Sequence, residues 1–117
     1  AKIANFCFSR NDVAVVDFQY VGRGVGVRDL AYLLGSCLDE KQMDAFADTL
    51  LDYYLEVLGQ QPQVETEWRR LWPFCFAAFE RFYKGWAGTS STRQNRNGYT
   101  RRLIDLTLSQ LSERRKK

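Results

Sequence analysis

Apolar residues change their rhythm along this chain. Near the start they form two short β-type runs, Asn5-Phe6-Cys7-Phe8 and Val13-Ala14-Val15-Val16-Asp17-Phe18. Ser9-Arg10-Asn11-Asp12 lies between them, and a polar group with Asn and Asp is turn chemistry, so the pair reads as a small hairpin. Gly22-Arg23-Gly24-Val25-Gly26 follows as a flexible or tightly turned loop. From there the period becomes helical. One helix is predicted from Asp39 or Glu40 to Leu58, capped by Asp39 with Gln42 three places on and ended by Gly59. Its apolar face is expected to be Met43, Phe46, Ala47, Leu50, Tyr54, Val57 and Leu58. Gln60 to Gln63 reads as a loop. A second long helix runs from about Val64 or Glu65 to Trp86, apolar on more than one face, and Pro73 is expected to kink or split it. Ala87 to Gly98 reads as a polar loop. A last helix covers roughly Tyr99 to Glu113, with Leu103, Ile104, Leu106, Leu108 and Leu111 on its buried side.

The hairpin carries the candidate chemistry. Asn5 stands at the entry of its first strand and Asp17 at the exit of its second, so folding brings the two to the same end. A carboxylate and an amide oxygen meeting there form oxygen-only ligation, which suits a hard cation such as Mg²⁺. Taken singly, Asn5 would be read more simply as a turn cap. Asp29, in Arg28-Asp29-Leu30-Ala31-Tyr32, has the ordinary role of a helix N-cap or first-turn acid. The Gly-rich segment is not a G-x-G-x-x-G phosphate loop, because its glycines are wrongly spaced and it follows the acidic residue.

Lys2-Ile3-Ala4-Asn5, a hairpin, Asp17-Phe18-Gln19-Tyr20, Gly22-Arg23-Gly24 and Asp29-Leu30-Ala31-Tyr32 occur in that order. The series resembles the catalytic core of kinase-like phosphotransferases, in which a catalytic loop ending in Asn leads through a hairpin to a metal-binding Asp. Within them it is most similar to the ecdysteroid kinase-like (CHK-like) family of the aminoglycoside phosphotransferase and choline kinase group, whose members commonly read H-G-D-A-K-x-A-N-F and then D-F-Q-Y. Gln19 stands where protein kinases have glycine. The resemblance is strong over Ala1–Leu34 and weak over Trp68–Leu111, where Arg81-Phe82-Tyr83-Lys84-Gly85-Trp86 matches a recurrent R-F-x-x-G-W pattern.

The resemblance implies a protein kinase-like C-terminal lobe spanning 1–117: an α+β, mostly α fold with a short catalytic β-hairpin followed by a bundle of about four helices. It implies ATP- and Mg²⁺-dependent transfer of the γ-phosphate to a hydroxyl of a small molecule. Asn5 and Asp17 would hold the metal, Lys2 would stabilise charge on the γ-phosphate, and Asp29 would also support the catalytic-loop backbone. The catalytic Asp that accepts the substrate proton would fall immediately before Ala1. An N-terminal lobe of the same protein would complete the ATP site, so these 117 residues alone are not expected to turn over ATP.

Composition narrows the alternatives. A chain 45% hydrophobic and 15% aromatic can build a core and is not disordered. With no histidine, Ser-His and Cys-His catalysis and His-ligated metals are excluded. Cys7, Cys37 and Cys75 are scattered and odd in number, which suggests neither disulfides nor a zinc site and fits a reducing cytoplasm. There is no signal-peptide pattern and no run of 18 apolar residues, so no membrane partner is expected. The net charge of +3 comes from the last four residues, Arg114 to Lys117; the body is near neutral. That argues against nucleic-acid binding through the tail with Arg93, Arg96, Arg101 and Arg102. The alternative to an enzyme is a degenerate kinase-like interaction module, against which the retained Lys2, Asn5 and Asp17 count.

Overall fold

The computed structural model describes residues 2–19, 21–87 and 98–116, the side chains of 86 and 87 excepted. The fold is α+β and mostly α. A single 3-10 turn, Ile3–Asn5, opens into an antiparallel hairpin of β1 (Phe6–Phe8) and β2 (Val13–Val15). Four helices follow among the described residues: α1 (Val27–Cys37), α2 (Glu40–Leu58), α3 (Pro62–Ala87) and α4 (Tyr99–Arg115). The predicted polar loop falls almost wholly on 88–97, outside the described residues, as do Tyr20, Arg93 and Arg96.

The hairpin register pairs Phe6 with Val15, Cys7 with Ala14 and Phe8 with Val13. Its turn closes as the Ser9 and Asp12 types suggest. The Ser9 N–H donates to the Asp12 carbonyl at 2.9 Å, and the Asp12 N–H donates to Ser9 Oγ at 3.1 Å. Both strands are shorter than expected. Asn5 belongs to the 3-10 turn, and β2 stops at Val15 because the backbone turns left-handed at Asp17, with φ of 68°.

Local signals set α2. The Gln42 N–H donates to Asp39 Oδ1 at 2.8 Å and the Asp39 N–H donates to Gln42 Oε1 at 2.9 Å, a reciprocal capping box. Gly59 ends the helix at φ of 62°, a left-handed position that glycine takes without a Cβ penalty. The buried face is a correction to the expected one. Met43, Ala47, Leu51 and Leu55 are buried, with Leu50 and Tyr54 half-buried, while Phe46, Val57 and Leu58 are exposed. A helix this rich in apolar residues offers two overlapping stripes, and the position of α1 and α4 selects one.

α3 begins earlier than expected, since Pro62 enters it in place of a loop. A proline in the first turn gives up only an N–H that has no helical partner there. Pro73 does not split the helix, which runs unbroken for 26 residues. Proline inside a helix costs about 3 kcal/mol, and burying each large side chain returns about 1.5–3 kcal/mol. Trp72, Cys75, Phe76 and Phe79 are all buried around it, so packing outweighs the lost bond.

The core lies among α1, α2, α3 and the start of α4: Val27, Ala31, Leu34, Met43, Leu51, Trp72, Phe76 and Tyr99 form one cluster. Tyr99 joins three helices. Trp72 Nε1 donates to Tyr99 Oη at 2.8 Å, and Tyr99 Oη donates to Asp48 Oδ1 at 2.6 Å. The buried side of α4 corrects the expectation. Thr100 and Thr107 are buried and Leu103 and Ile104 half-buried, whereas Leu106, Leu108 and Leu111 face water. The helix also continues to Arg115, with Arg114 and Arg115 in its last turn, where cations favour the helix dipole.

α1 lies close against α3 at Gly35. A Cβ added there would stand 2.8 Å from Phe79 Cδ1. The Phe79 ring cannot withdraw freely, because Tyr32 packs on it edge-on at 5.2 Å and Tyr83 at 5.9 Å. Overpacking costs about 1–3 kcal/mol and the gain in helix propensity from Gly to Ala is about 1 kcal/mol. Gly35→Ala is therefore expected to destabilise by about 1 kcal/mol, and Gly35→Ala with Phe79→Leu to recover part of it. Urea unfolding of the two variants checks this; a stabilised single variant would mean that the helices part at no cost.

Candidate functional site

The site is built at the open end of the hairpin. The Asn5 N–H donates to the Lys2 carbonyl at 3.0 Å, which closes the 3-10 turn. The Val16 N–H donates to the Asn5 carbonyl at 2.9 Å, extending the ladder one step past β1 and β2. Asp17 follows directly. The backbones of Asn5 and Asp17 thus lie at one end of the hairpin, and Lys2 is carried there by the same turn.

Asp17 is exposed, and among the described residues it is the one non-glycine with positive φ. Asp and Asn tolerate this left-handed conformation better than other side chains, at a cost of order 1–2 kcal/mol. Backbone strain of this kind persists where surrounding structure imposes it and gathers at functional sites. Asn5 is half-buried and Lys2 exposed.

Asp29 lies apart in the chain, in the first turn of α1, whose N-cap is Gly26. The first-turn alternative is thus the one realised, and the Asp29 N–H donates to the Gly26 carbonyl at 3.0 Å. Its charge acts on Tyr54, whose hydroxyl pKa is pushed up first by burial and then by Asp29. Beside it, the Arg28 guanidinium sits 5.4 Å from the Tyr32 ring centre, and its pKa is raised first by its hydrogen bond to Tyr32.

Sequence reasoning passed over Ser36. The Ile3 N–H donates to Ser36 Oγ at 2.9 Å, and that hydroxyl donates to the Leu33 carbonyl at 2.7 Å. A lone serine near a helix end carries no pattern that would have singled it out.

Among the described residues no group of three or more His, Cys, Asp or Glu is placed to hold a metal. Magnesium does not require one. It is commonly held by one or two carboxylates together with substrate phosphates and water. One exposed carboxylate and one amide oxygen, carried on backbone at the same end of the hairpin, are donor types of that kind. Burial raises the Cys75 thiol to about 11, so it is not a nucleophile at neutral pH. A cavity of about 500 Å³ lined by Arg70, Gln110, Glu113, Arg114 and Lys116 includes none of the hairpin residues. No helix among the described residues is long and apolar enough to cross a membrane.

No curated protein and no solved structure matches the chain. The family model described as the ecdysteroid kinase-like family matches residues 3–64, more than half of the chain. The match runs through the hairpin, the Gly-rich loop, α1 and α2, and so takes in Asn5, Asp17 and Asp29. It ends before the weaker resemblance over Trp68–Leu111 begins. The chain belongs to the ecdysteroid kinase-like family.

Proposed function

We propose that this chain supplies the metal- and phosphate-facing hairpin of an ATP-dependent phosphotransferase acting on a hydroxyl of a small molecule. The observation that carries the reading is the Val16-to-Asn5 backbone bond, which sets Asp17 and Asn5 at one end of a hairpin matched by a kinase-like family. Magnesium, when bound, would supply charge neutralisation at the phosphates of ATP. The Asp17 carboxylate and the Asn5 amide oxygen would hold it. The Lys2 ammonium would draw negative charge on the phosphoryl group toward itself, which lowers the barrier by electrostatics alone. The turn and the hairpin carry these three residues on one short stretch of backbone.

The proposal includes an N-terminal lobe of the same protein lying over the hairpin. Exposed apolar side chains support it: Phe8, Phe18 and Val21 are each about two-thirds exposed or more. Large apolar side chains left this exposed are ones that a covering element would bury.

The test is Mg²⁺-dependent ATP binding by calorimetry, on the protein extended upstream to both lobes. Charge-assisted contacts are worth about 1.5–3 kcal/mol, so Asp17→Ala is expected to weaken binding about tenfold or more. Asp17→Asn keeps a side chain suited to positive φ and isolates the lost charge. Unchanged affinity in both variants would leave the motif a relic and favour the interaction-module reading.

A further inference from the structure

We propose that Ser36 of α1 is a positioning residue for the phosphate-facing turn, holding Lys2 and Asn5 in register with the helical core. The inference rests on the reading of Asn5, Asp17 and Lys2 given above and adds a residue that neither the motif nor the family match assigns.

A single 3-10 turn does not hold itself. One hydrogen bond repays little of the entropy of fixing three residues, and such turns persist where neighbours impose them. Here the turn is Ile3–Asn5, and hydrogen bonds to described residues carry it outward on two sides. On one side the Val16 N–H reaches the Asn5 carbonyl. That bond leads only into a two-stranded hairpin, which is marginal in water by itself and whose β2 residues are exposed. On the other side the Ile3 N–H reaches Ser36 Oγ at 2.9 Å, across 33 positions of sequence. This bond leads into α1, whose Leu34 and Gly35 are buried against the core.

The serine is well set for the task. Serine hydroxyls in helices commonly donate to a carbonyl one turn back. Ser36 does so, to Leu33 at 2.7 Å, which fixes the rotor and aims an oxygen lone pair at Ile3. The acceptor is thus oriented before the turn arrives. The Ile3 N–H, in the first turn of its short helix, has no acceptor within that helix. Ile3 lies between Lys2 and Asn5, so one bond sets the backbone from which both of the proposed ligand-facing side chains project. Misplacement of such groups by a fraction of an ångström is costly in phosphoryl transfer, where positioning is most of the catalysis.

The experiment uses the full-length protein and Mn²⁺–ATP as probe, followed by water-proton relaxation. Wild type, Ser36→Ala, Ser36→Thr and Asp17→Ala are compared, each with a thermal melt and the hydrogen-exchange rate of the Ile3 amide. Ser36→Ala is expected to bind the probe roughly five- to tenfold more weakly, in line with one lost hydrogen bond of ordinary strength. Its Ile3 amide should exchange faster and its melting temperature should stay near that of wild type. Ser36→Thr, which keeps the hydroxyl, should restore both binding and protection. If Ser36→Ala binds as wild type while Asp17→Ala does not bind, the metal site stands and the positioning role is overturned. If neither variant affects binding, the site reading falls and takes this inference with it. If threonine fails to rescue and both Ser36 variants melt early, the residue serves folding and the positioning role is likewise overturned.

Discussion

Phe76→Ala should remove a large share of the stability of this fold. The side chain is 0% exposed and lies at the middle of α3. It meets Trp72 edge-on at 4.8 Å and 84°, and Tyr99 at 5.8 Å and 74°. Truncating a buried phenylalanine costs about 3–5 kcal/mol, part from lost transfer energy and part from the cavity left behind. Domains of this size are stable by about 5–15 kcal/mol in total. Two features keep the cost at the upper end. Trp72 is held by its hydrogen bond to Tyr99, and Tyr99 by its bond to Asp48, so neither ring is free to fill the void. Urea unfolding checks the claim: the midpoint should fall steeply with the slope unchanged. Phe46→Ala is the matching control. That side chain is 55% exposed on α2, and its loss should lie within about 0.5 kcal/mol of wild type. Equal losses at the two positions would mean that the core is not where the packing places it.

Tyr99→Phe is expected to cost about 1–3 kcal/mol at neutral pH, because it deletes one oxygen and orphans a buried donor. Trp72 Nε1 loses its acceptor inside the core, whereas Asp48 is exposed and regains water. The same oxygen makes stability fall at high pH. Burial first, and the hydrogen bond to Asp48 second, push the Tyr99 pKa well above its ordinary value of 10. The unfolded chain therefore gives up this proton first. The contribution is complete below about pH 10 and is lost as pH rises from there toward the raised folded value. Phenylalanine has no proton to lose. The gap between wild type and Tyr99→Phe should thus be widest near pH 8 and should narrow by pH 11. Cys75, raised to about 11 by burial, declines in the same direction in both proteins and cancels from the comparison. Chemical denaturation at the two pH values reads the effect directly; a gap that widens with pH would contradict the assigned direction.

How much of the molecule the sequence discloses depends on how local each cause is. The ends of α2 were readable because Asp39, Gln42 and Gly59 act within a few residues of themselves. Its buried face was not. Phe46 and Val57 are as apolar as Leu51 and Leu55, and only the neighbouring helices decide which pair meets the core. The same holds for α4, where Thr100 and Thr107 are buried and Leu108 is exposed, the reverse of hydrophobic ranking. Thr107 settles its hydroxyl internally by donating to the Leu103 carbonyl at 2.9 Å, so its burial costs little. Pro73 shows tertiary packing overriding a local rule. At the hairpin, the order Lys2, Asn5, Asp17 and the turn types between them were legible, and so was the placing of the Asn5 and Asp17 backbones at one end. The left-handed backbone of Asp17 and the bond to Ser36 were not, since the first is a torsion and the second joins residues 33 apart.

The exposed hairpin also sets the order in which the chain comes apart. Proteins open locally over a range of free energies, from near zero at thinly packed segments up to the global value in the core. β1 and β2 make one short ladder with little buried side-chain area, while Phe76, Met43 and Val27 are sealed among four helices. Amides of the hairpin will therefore exchange with solvent through small openings, and those of α3 only when the whole domain unfolds. The end that bears Asn5 and Asp17 can lose its shape and regain it many times within the lifetime of one folded core. A bound ligand or a covering lobe would show first as a slowing of exchange in β1 and β2, with the helices unchanged.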